Sequence, residues 1–325
     1  MPLFFVLRHP GRRDKNIAAF RHFFGYVPIV PLLARFSLYF IFAGMLYWGQ
    51  NPPGTTGRKG ECQLYTIQEY RFAKSIEEAA GLLQKGRTNR VLAGGTWLRM
   101  GNEAIGTAID LGRLGLDTVT ENEETVTIGA AVTLRTLETS PVLQGLFGGV
   151  LPQCVAPIVG VQFRNLATVG AGVYSKYGFS DLLTALLALE SQVELAQGGR
   201  LPLEEFLQSP PAPGDLLVNL HIRKDGRTAA FCTQRRTHTD FAVLSVCAAR
   251  TPAGEYTVSV GARPAVARRS PAAAEAMKAG GAESAGRAAA SELPFGTNQR
   301  GSAEYRKILC EVLTTRAFKE LEGKA

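Results

Sequence analysis

The sequence is poor in the residues that build metal centres. It has five cysteines and four histidines in 325 residues, the cysteines (62, 154, 232, 247, 310) are scattered, and no Cys-x-x-Cys or His at ligand spacing occurs. Zinc and iron–sulfur sites are therefore not expected. No Gly-x-Ser-x-Gly elbow is present, and neither a Gly-x-x-x-x-Gly-Lys-Ser/Thr phosphate loop nor a Gly-x-Gly-x-x-Gly after a strand, which removes the common hydrolase, P-loop and Rossmann chemistries. His238 lies in the basic run Gln234–Asp240 and reads as part of a solvated turn. A long apolar run is missing too: the longest stretch, Phe36 to Trp48, holds 13 residues, where a membrane-spanning helix needs roughly 20.

What is present is uneven. The formal charge is +8 and hydrophobic residues make up 46% of the chain, enough for a proper core. Residues 1–63 carry eight basic residues against two acidic ones, a balance of +6, and 12 of the 28 aromatics. A composition boundary near position 60 follows. Three readings fit the first segment: a membrane-associating leader using residues 26–48, a natural extension, or an upstream stretch joined through a misplaced start codon. No signal-peptide cleavage pattern accompanies it, and no chemical motif lies in it.

From Leu64 onward short strands alternate with helices. Ser75-Ile76-Glu77-Glu78 is a capping box and predicts a helix over 75–85. Strands are expected at 91–93, 107–111 and 125–129, and short helices at 133–139, 149–158 and 181–189, the last apolar nearly all round and therefore buried, with Asp181 at its start. Beyond the linker Pro210–Gly214 the runs Leu216–Ile222, Thr228–Gln234, Phe241–Ala249 and Tyr256–Gly261, separated by short turn signals, predict an antiparallel sheet. Helices near 270–279 and 302–320, separated by an Ala/Gly-rich stretch, close the chain.

Two small-residue turns stand out. They are Ala93-Gly94-Gly95-Thr96-Trp97-Leu98 and Thr168-Val169-Gly170-Ala171-Gly172, the latter preceded by Arg164-Asn165-Leu166-Ala167. Each can lay backbone N–H groups against an anion, because small residues permit close approach and positive φ; each also reads as an ordinary tight turn.

These turns resemble the pyrophosphate loops of the FAD-binding subunit of molybdenum hydroxylases, the medium-subunit family of xanthine dehydrogenase and carbon monoxide dehydrogenase. Further pieces match in order: Ile128-Gly129-Ala130 with Thr133, Ser180-Asp181, Leu216-Leu217, then Phe231, Arg235-Arg236, Asp240 and Ala242, and finally Gly301 to Arg306. The collinear set covers about 64–320. The resemblance implies an α+β fold of the p-cresol methylhydroxylase type: two α+β subdomains holding FAD over 64–223, then a small antiparallel-sheet-plus-helices domain over 224–325, with 1–63 as an extension and Leu64 as the expected initiator.

Carried over by position, Ala93, Gly94, Gly95, Thr96, Trp97 and Leu98 would wrap the FAD pyrophosphate and ribityl, and Thr168, Val169, Gly170, Ala171 and Gly172 would close on it from the other side. Asp181 would hydrogen-bond the sugar portion, with a plain helix cap as its other reading, and Leu217 would contact the flavin. Arg164 and Asn165 would either support the second loop or form a surface ion pair. The resemblance implies a cytoplasmic electron-transfer subunit, with a two-iron-two-sulfur subunit and a molybdopterin-binding catalytic subunit as partners and NAD or another acceptor; no nucleic acid is needed. Two departures bear on this. Ala171 stands where the family commonly has a second glycine, and Cys232 stands where many members carry a Lys, which weakens the case for direct NAD reduction. An assembly subunit that holds FAD weakly or not at all, and a membrane-tethered flavoprotein, are the rival readings.

Overall fold

Ser75 starts the first helix as its sequence dictates. Its hydroxyl accepts from the Glu78 N–H at 3.1 Å, while the Glu78 carboxylate takes the N–H of Lys74, one residue before the cap. The computed structural model describes residues 65–208 and 214–323. The expectations for 1–63, the initiator at Leu64 and most of the Pro210–Gly214 linker lie outside the described residues.

Helix α1 (Ile76–Lys85) joins strand β1 (Thr66–Phe72) to β2 (Arg90–Leu92), and β3 (Ala104–Asp110) lies between the two strands, parallel to both. Ala73, Ala79, Leu82, Ile109, Leu111, Leu116, Leu216 and Val218 form the apolar core of this part. Strand β1 was not among the expected elements. Its seven residues are all exposed, so no inward-facing apolar alternation marks it.

A five-stranded antiparallel sheet follows, in the order β4-β5-β8-β6-β7, from β4 (Val119–Glu121), β5 (Thr125–Gly129), β6 (Gln192–Leu195), β7 (Gly199–Pro202) and β8 (Leu217–Arg223). Helices α2 (Leu134–Thr139), α3 (Pro141–Gly145), α4 (Val150–Val155), α5 (Val161–Arg164), α6 (Val169–Tyr174), α7 (Asp181–Ala188) and α8 (Leu203–Gln208) occur in this half. Every residue of α7 is buried, as its all-round apolar pattern requires.

The third sheet, antiparallel in the order β12-β11-β10-β9, comprises β9 (Thr228–Gln234), β10 (Leu244–Arg250), β11 (Tyr256–Gly261) and β12 (Arg268–Arg269). Helices α9 (Pro271–Glu292) and α10 (Ala303–Gly323) share a core with it that includes Val246, Val258, Met277, Leu313 and Phe318.

Two expectations are corrected. Leu217–Arg223 does not join the C-terminal sheet but pairs with β5 and β6. At the turn after it, Asp225 binds the Arg227 guanidinium, which also reaches Glu190 at 2.8 Å and the Ala188 carbonyl, so the chain crosses to the next sheet instead of folding back as a hairpin. The Ala/Gly-rich stretch after residue 279 is no spacer: α9 runs on to Glu292, interrupted only at Gly281, whose φ of 75° no side chain favours. Alanines 282, 285, 289 and 290 are buried in the shared core, so tertiary packing overrides the low helix propensity of the glycines.

Candidate functional site

The first small-residue turn leaves β2 directly. Gly95 there has a left-handed φ of 65°. A Cβ on Gly94 would fall 1.5 Å from the Leu166 carbonyl oxygen, so the first turn lies backbone against backbone on the residue two before Thr168. The two turns, 75 residues apart in sequence, meet. Among the described residues the N–H groups of Gly94, Gly95, Thr96 and Trp97 donate no hydrogen bond. Leu98 to Met100 form a short 3-10 turn behind them, closed by Arg99 N–H to the Gly95 carbonyl at 3.1 Å. Open consecutive donors on a glycine-lined backbone suit an anionic group.

The second turn is built differently. Val169 N–H donates to the Val132 carbonyl and Gly170 N–H to the Ala130 carbonyl, both at 2.8 Å, and Gly172 N–H donates to the Thr168 carbonyl at 3.0 Å. Ala171 N–H goes to the Thr168 hydroxyl, which caps α6 at 3.4 Å. The N–H groups of Val169 to Gly172 are thus spent inside the protein. Gly170 is required because a Cβ would lie 2.7 Å from Ala130; the close approach it permits is to β5's end. Ala171 is exposed and Gly172 half-buried. Thr168→Ala is expected to lower stability by about 1 kcal/mol through loss of the cap, and Thr168→Ser to keep most of it. Urea unfolding midpoints check this, and an unchanged midpoint for Thr168→Ala would contradict the capping role.

Arg164, buried, donates to Glu138 at 2.8 and 3.1 Å and to the Ile158 carbonyl at 3.0 Å. Its hydrogen bond, with help from Arg135, holds the Glu138 carboxyl below its usual range. It is therefore a buried anchor of the turn that leads to Leu166, whereas Asn165 is exposed.

Asp181 is the first residue of α7, but Ser180 is its cap, accepting from the Leu183 N–H at 3.2 Å. Asp181 is 4% exposed and paired with Arg235 through Oδ2; Oδ1 has no partner among the described residues. Burial pushes its carboxyl up to about 6, against the pull of the Arg235 guanidinium. Leu217 is buried at the start of β8 within the main core. Its neighbour Val218 accepts from Ala130 N–H at 2.9 Å, which sets this strand beside the second turn.

Sequence reasoning missed an aromatic row. Trp97 lies 5.1 Å from Tyr177 between ring centroids, Tyr177 stacks on Phe179 at 5.0 Å and 10°, and Phe179 meets Phe241 at 4.4 Å. The Arg300 guanidinium stands 4.9 Å over Phe241. The row thus runs from the first turn past Ser180-Asp181 to the C-terminal sheet. Its one sequence signal was the Tyr177-Gly178-Phe179 triplet directly ahead of Ser180.

His238 is exposed, as a solvated turn demands. Burial raises the Cys154 thiol well above its ordinary value and pushes Cys310 up to about 12, so neither is a ready nucleophile. Among the described residues no group of three His, Cys, Asp or Glu side chains is placed to hold a metal ion, and no helix is long and apolar enough to cross a membrane.

Residues 65–223 match the family described as FAD binding domain in molybdopterin dehydrogenase. The chain is 26% identical over 277 residues to the nicotine 6-hydroxylase medium subunit of Paenarthrobacter nicotinovorans, covering 77% of this chain and 96% of that one. It is 30% identical over 123 residues to aldehyde oxidase 2 of Cavia porcellus, covering 33% of this chain but only 9% of that far longer protein. Its fold is that of a chain in the carbon monoxide dehydrogenase from Hydrogenophaga pseudoflava, with a TM-score of 0.74 and 22% identity over 81% of this chain and 99% of that chain.

Proposed function

Since residues 65–223 belong to the FAD binding domains of molybdopterin dehydrogenases, we propose that the chain is the electron-transfer subunit of a molybdenum hydroxylase-type complex. In this reading it receives electrons from a two-iron-two-sulfur subunit served by a molybdopterin-binding subunit, passes them to NAD or another acceptor, and works in the cytoplasm. Residues 64–223 are the cofactor domain and 224–325 the flavoprotein domain that backs it. Bound FAD supplies a redox centre that exchanges electrons singly or in pairs, and the chain's work is to bind and orient it.

The observation that carries the reading is the first turn: four consecutive N–H donors, Gly94 to Trp97, uncommitted among the described residues beside a glycine pressed on Leu166. Ala93 to Leu98 would hold the pyrophosphate through those donors. Thr168 to Gly172 would form the opposite wall, contributing shape more than hydrogen bonds, since the N–H groups of Val169 to Gly172 are used internally. Asp181, with Oδ1 unpaired, would accept a sugar hydroxyl, and Leu217 would limit the flavin end.

That same commitment of the second turn, together with the exposed methyl of Ala171, supports a second reading in which the chain assembles the complex while holding FAD weakly. Titrating the full-length protein with FAD decides between them. The main reading expects a flavin absorption band that stays with the protein through gel filtration, at one FAD per chain. A folded protein that takes up none would sink it and leave the assembly role.

A further inference from the structure

A buried ionised carboxylate is normally satisfied at both oxygens, because an unpaired lone pair inside a protein is costly. Asp181 breaks that rule. Oδ2 is bound by Arg235, and Oδ1, equally buried, has no partner among the described residues. Arg235 is itself fixed from the other side: its Nη1 donates to the Asp240 carbonyl at 2.6 Å, and next to it Arg236 donates to the Gln299 carbonyl at 2.8 Å. Arg235 follows β9 and Asp181 opens α7, two residues after Phe179 of the aromatic row, so the pair spans the two halves of the fold.

The ionisable groups facing the pair are the buried Cys154 thiol, from α4, which also feels Cys247, from β10, and on the Arg235 side Asp240, whose carbonyl Arg235 binds and whose carboxylate is paired with Arg300 at 3.1 Å. The Cys154 thiol is pushed well up by burial and by the Asp181 charge, so it stays neutral and offers Asp181 no compensation. Arg235 is then the cation that keeps this carboxyl ionised near neutral pH.

We propose that Arg235 is the positioning residue of the cofactor site: it engages Oδ2 and fixes the Asp181 carboxylate, leaving Oδ1 to accept a hydroxyl of the FAD sugar portion. The proposal rests on the FAD reading above. The sign of its pH dependence follows. With the carboxyl titrating at about 6, protonation removes the charge that makes Oδ1 a strong acceptor and ties Oδ2 to Arg235, so FAD affinity in the wild type falls as pH drops through that region. Without the guanidinium, burial acts unopposed, and the midpoint moves to higher pH.

The test is FAD titration of the full-length protein, followed by flavin fluorescence between pH 5 and 8.5. Wild type, Arg235→Met, Arg235→Lys, Asp181→Asn and the double variant Asp181→Asn with Arg235→Met are compared. Arg235→Met should bind FAD about tenfold more weakly at pH 7.5, the scale of one charge-assisted hydrogen bond, with its binding midpoint shifted upward. Arg235→Lys should recover part of both, and it carries the test if the Met variant fails to fold. Asp181→Asn should lose the pH dependence, and adding Arg235→Met to it should change affinity less than twofold, because Arg235 acts through Asp181. A wild-type affinity and pH profile in Arg235→Met and Arg235→Lys would overturn the proposal alone, as would losses that multiply in the double variant. A wild type that takes up no FAD at any pH would overturn the FAD reading and the proposal with it.

Discussion

Gly94→Ala is expected to abolish FAD uptake and to destabilise the protein by about 3 kcal/mol or more, at or beyond the upper end of what overpacking usually costs. The reason is not backbone conformation: it is Gly95, not Gly94, that has the left-handed φ. A methyl at position 94 would stand 1.5 Å from the Leu166 carbonyl oxygen and 2.3 Å from its carbonyl carbon, and both obstacles are main chain that no rotamer change can move. Relief requires the two turns to separate. That carries the N–H groups of Gly94 to Trp97 away from the wall formed by Thr168 to Gly172. Gly81→Ala is the control. It lies inside α1 with nothing within 4 Å of a new Cβ, so it should raise stability by up to about 1 kcal/mol through helix propensity and leave FAD binding unchanged. Melting temperature and FAD titration of both variants check the pair. A Gly94→Ala protein that melts and binds like the wild type would mean that the turns do not abut.

That contact also marks where sequence reasoning stops. A capping box is local, so Ser75 and Glu78 announce α1 within one residue; alternation announces β5, and an apolar run without a polar face announces α7. The small residues of the two turns were equally visible. What they do not reveal is which turn keeps its N–H donors uncommitted and which spends them inside the protein. Gly94 and Gly170 look alike in sequence, yet the first abuts Leu166 beside uncommitted donors and the second packs on Ala130 with its N–H spent. The difference is set by partners 72 and 40 positions away. Asp181 shows the same limit: its place at a helix start was legible, but its pairing with Arg235, 54 residues on, and the unpaired oxygen that results are products of tertiary packing. The misplaced strand Leu217–Arg223 failed for a kindred reason. Short spacing suggests a hairpin, whereas the strand pairs with β5 and β6 and the ion pairs around Arg227 hold the following turn to Glu190 and Asp225 as the chain passes between sheets.

Arg306→Met should lower stability by about 3 kcal/mol, on the scale seen when one partner is removed from a buried charged network. Arg306 is 1% exposed, and among the described residues no carboxylate pairs with it. Its guanidinium donates instead to four neutral oxygens: the carbonyls of Val243 at 2.9 Å, Gly296 at 2.7 Å and Gly301 at 2.5 Å, and Asn298 Oδ1 at 2.6 Å. One planar fork of donors thereby ties the 296–301 turn to the residue that leads into β10, which only an arginine can do. Methionine keeps the bulk of the stem but strands those acceptors, each costing about 1–3 kcal/mol if it stays buried. The total falls below their sum because the turn can open and hydrate. Arg306→Lys, a compact ammonium with three donors, should lose roughly half as much. The effect should reach the candidate site in weakened form. Arg300 leaves its place over Phe241 and its 3.1 Å pair with Asp240, and Arg236 loses the Gln299 carbonyl, so the end of the aromatic row loosens while Gly94 to Trp97 stay put. FAD affinity is then expected to fall only severalfold although stability falls steeply. Guanidinium unfolding and FAD titration of Arg306→Met read the two quantities side by side. A loss of stability under about 1 kcal/mol would show that water replaces all four hydrogen bonds and that the turn is not held by Arg306.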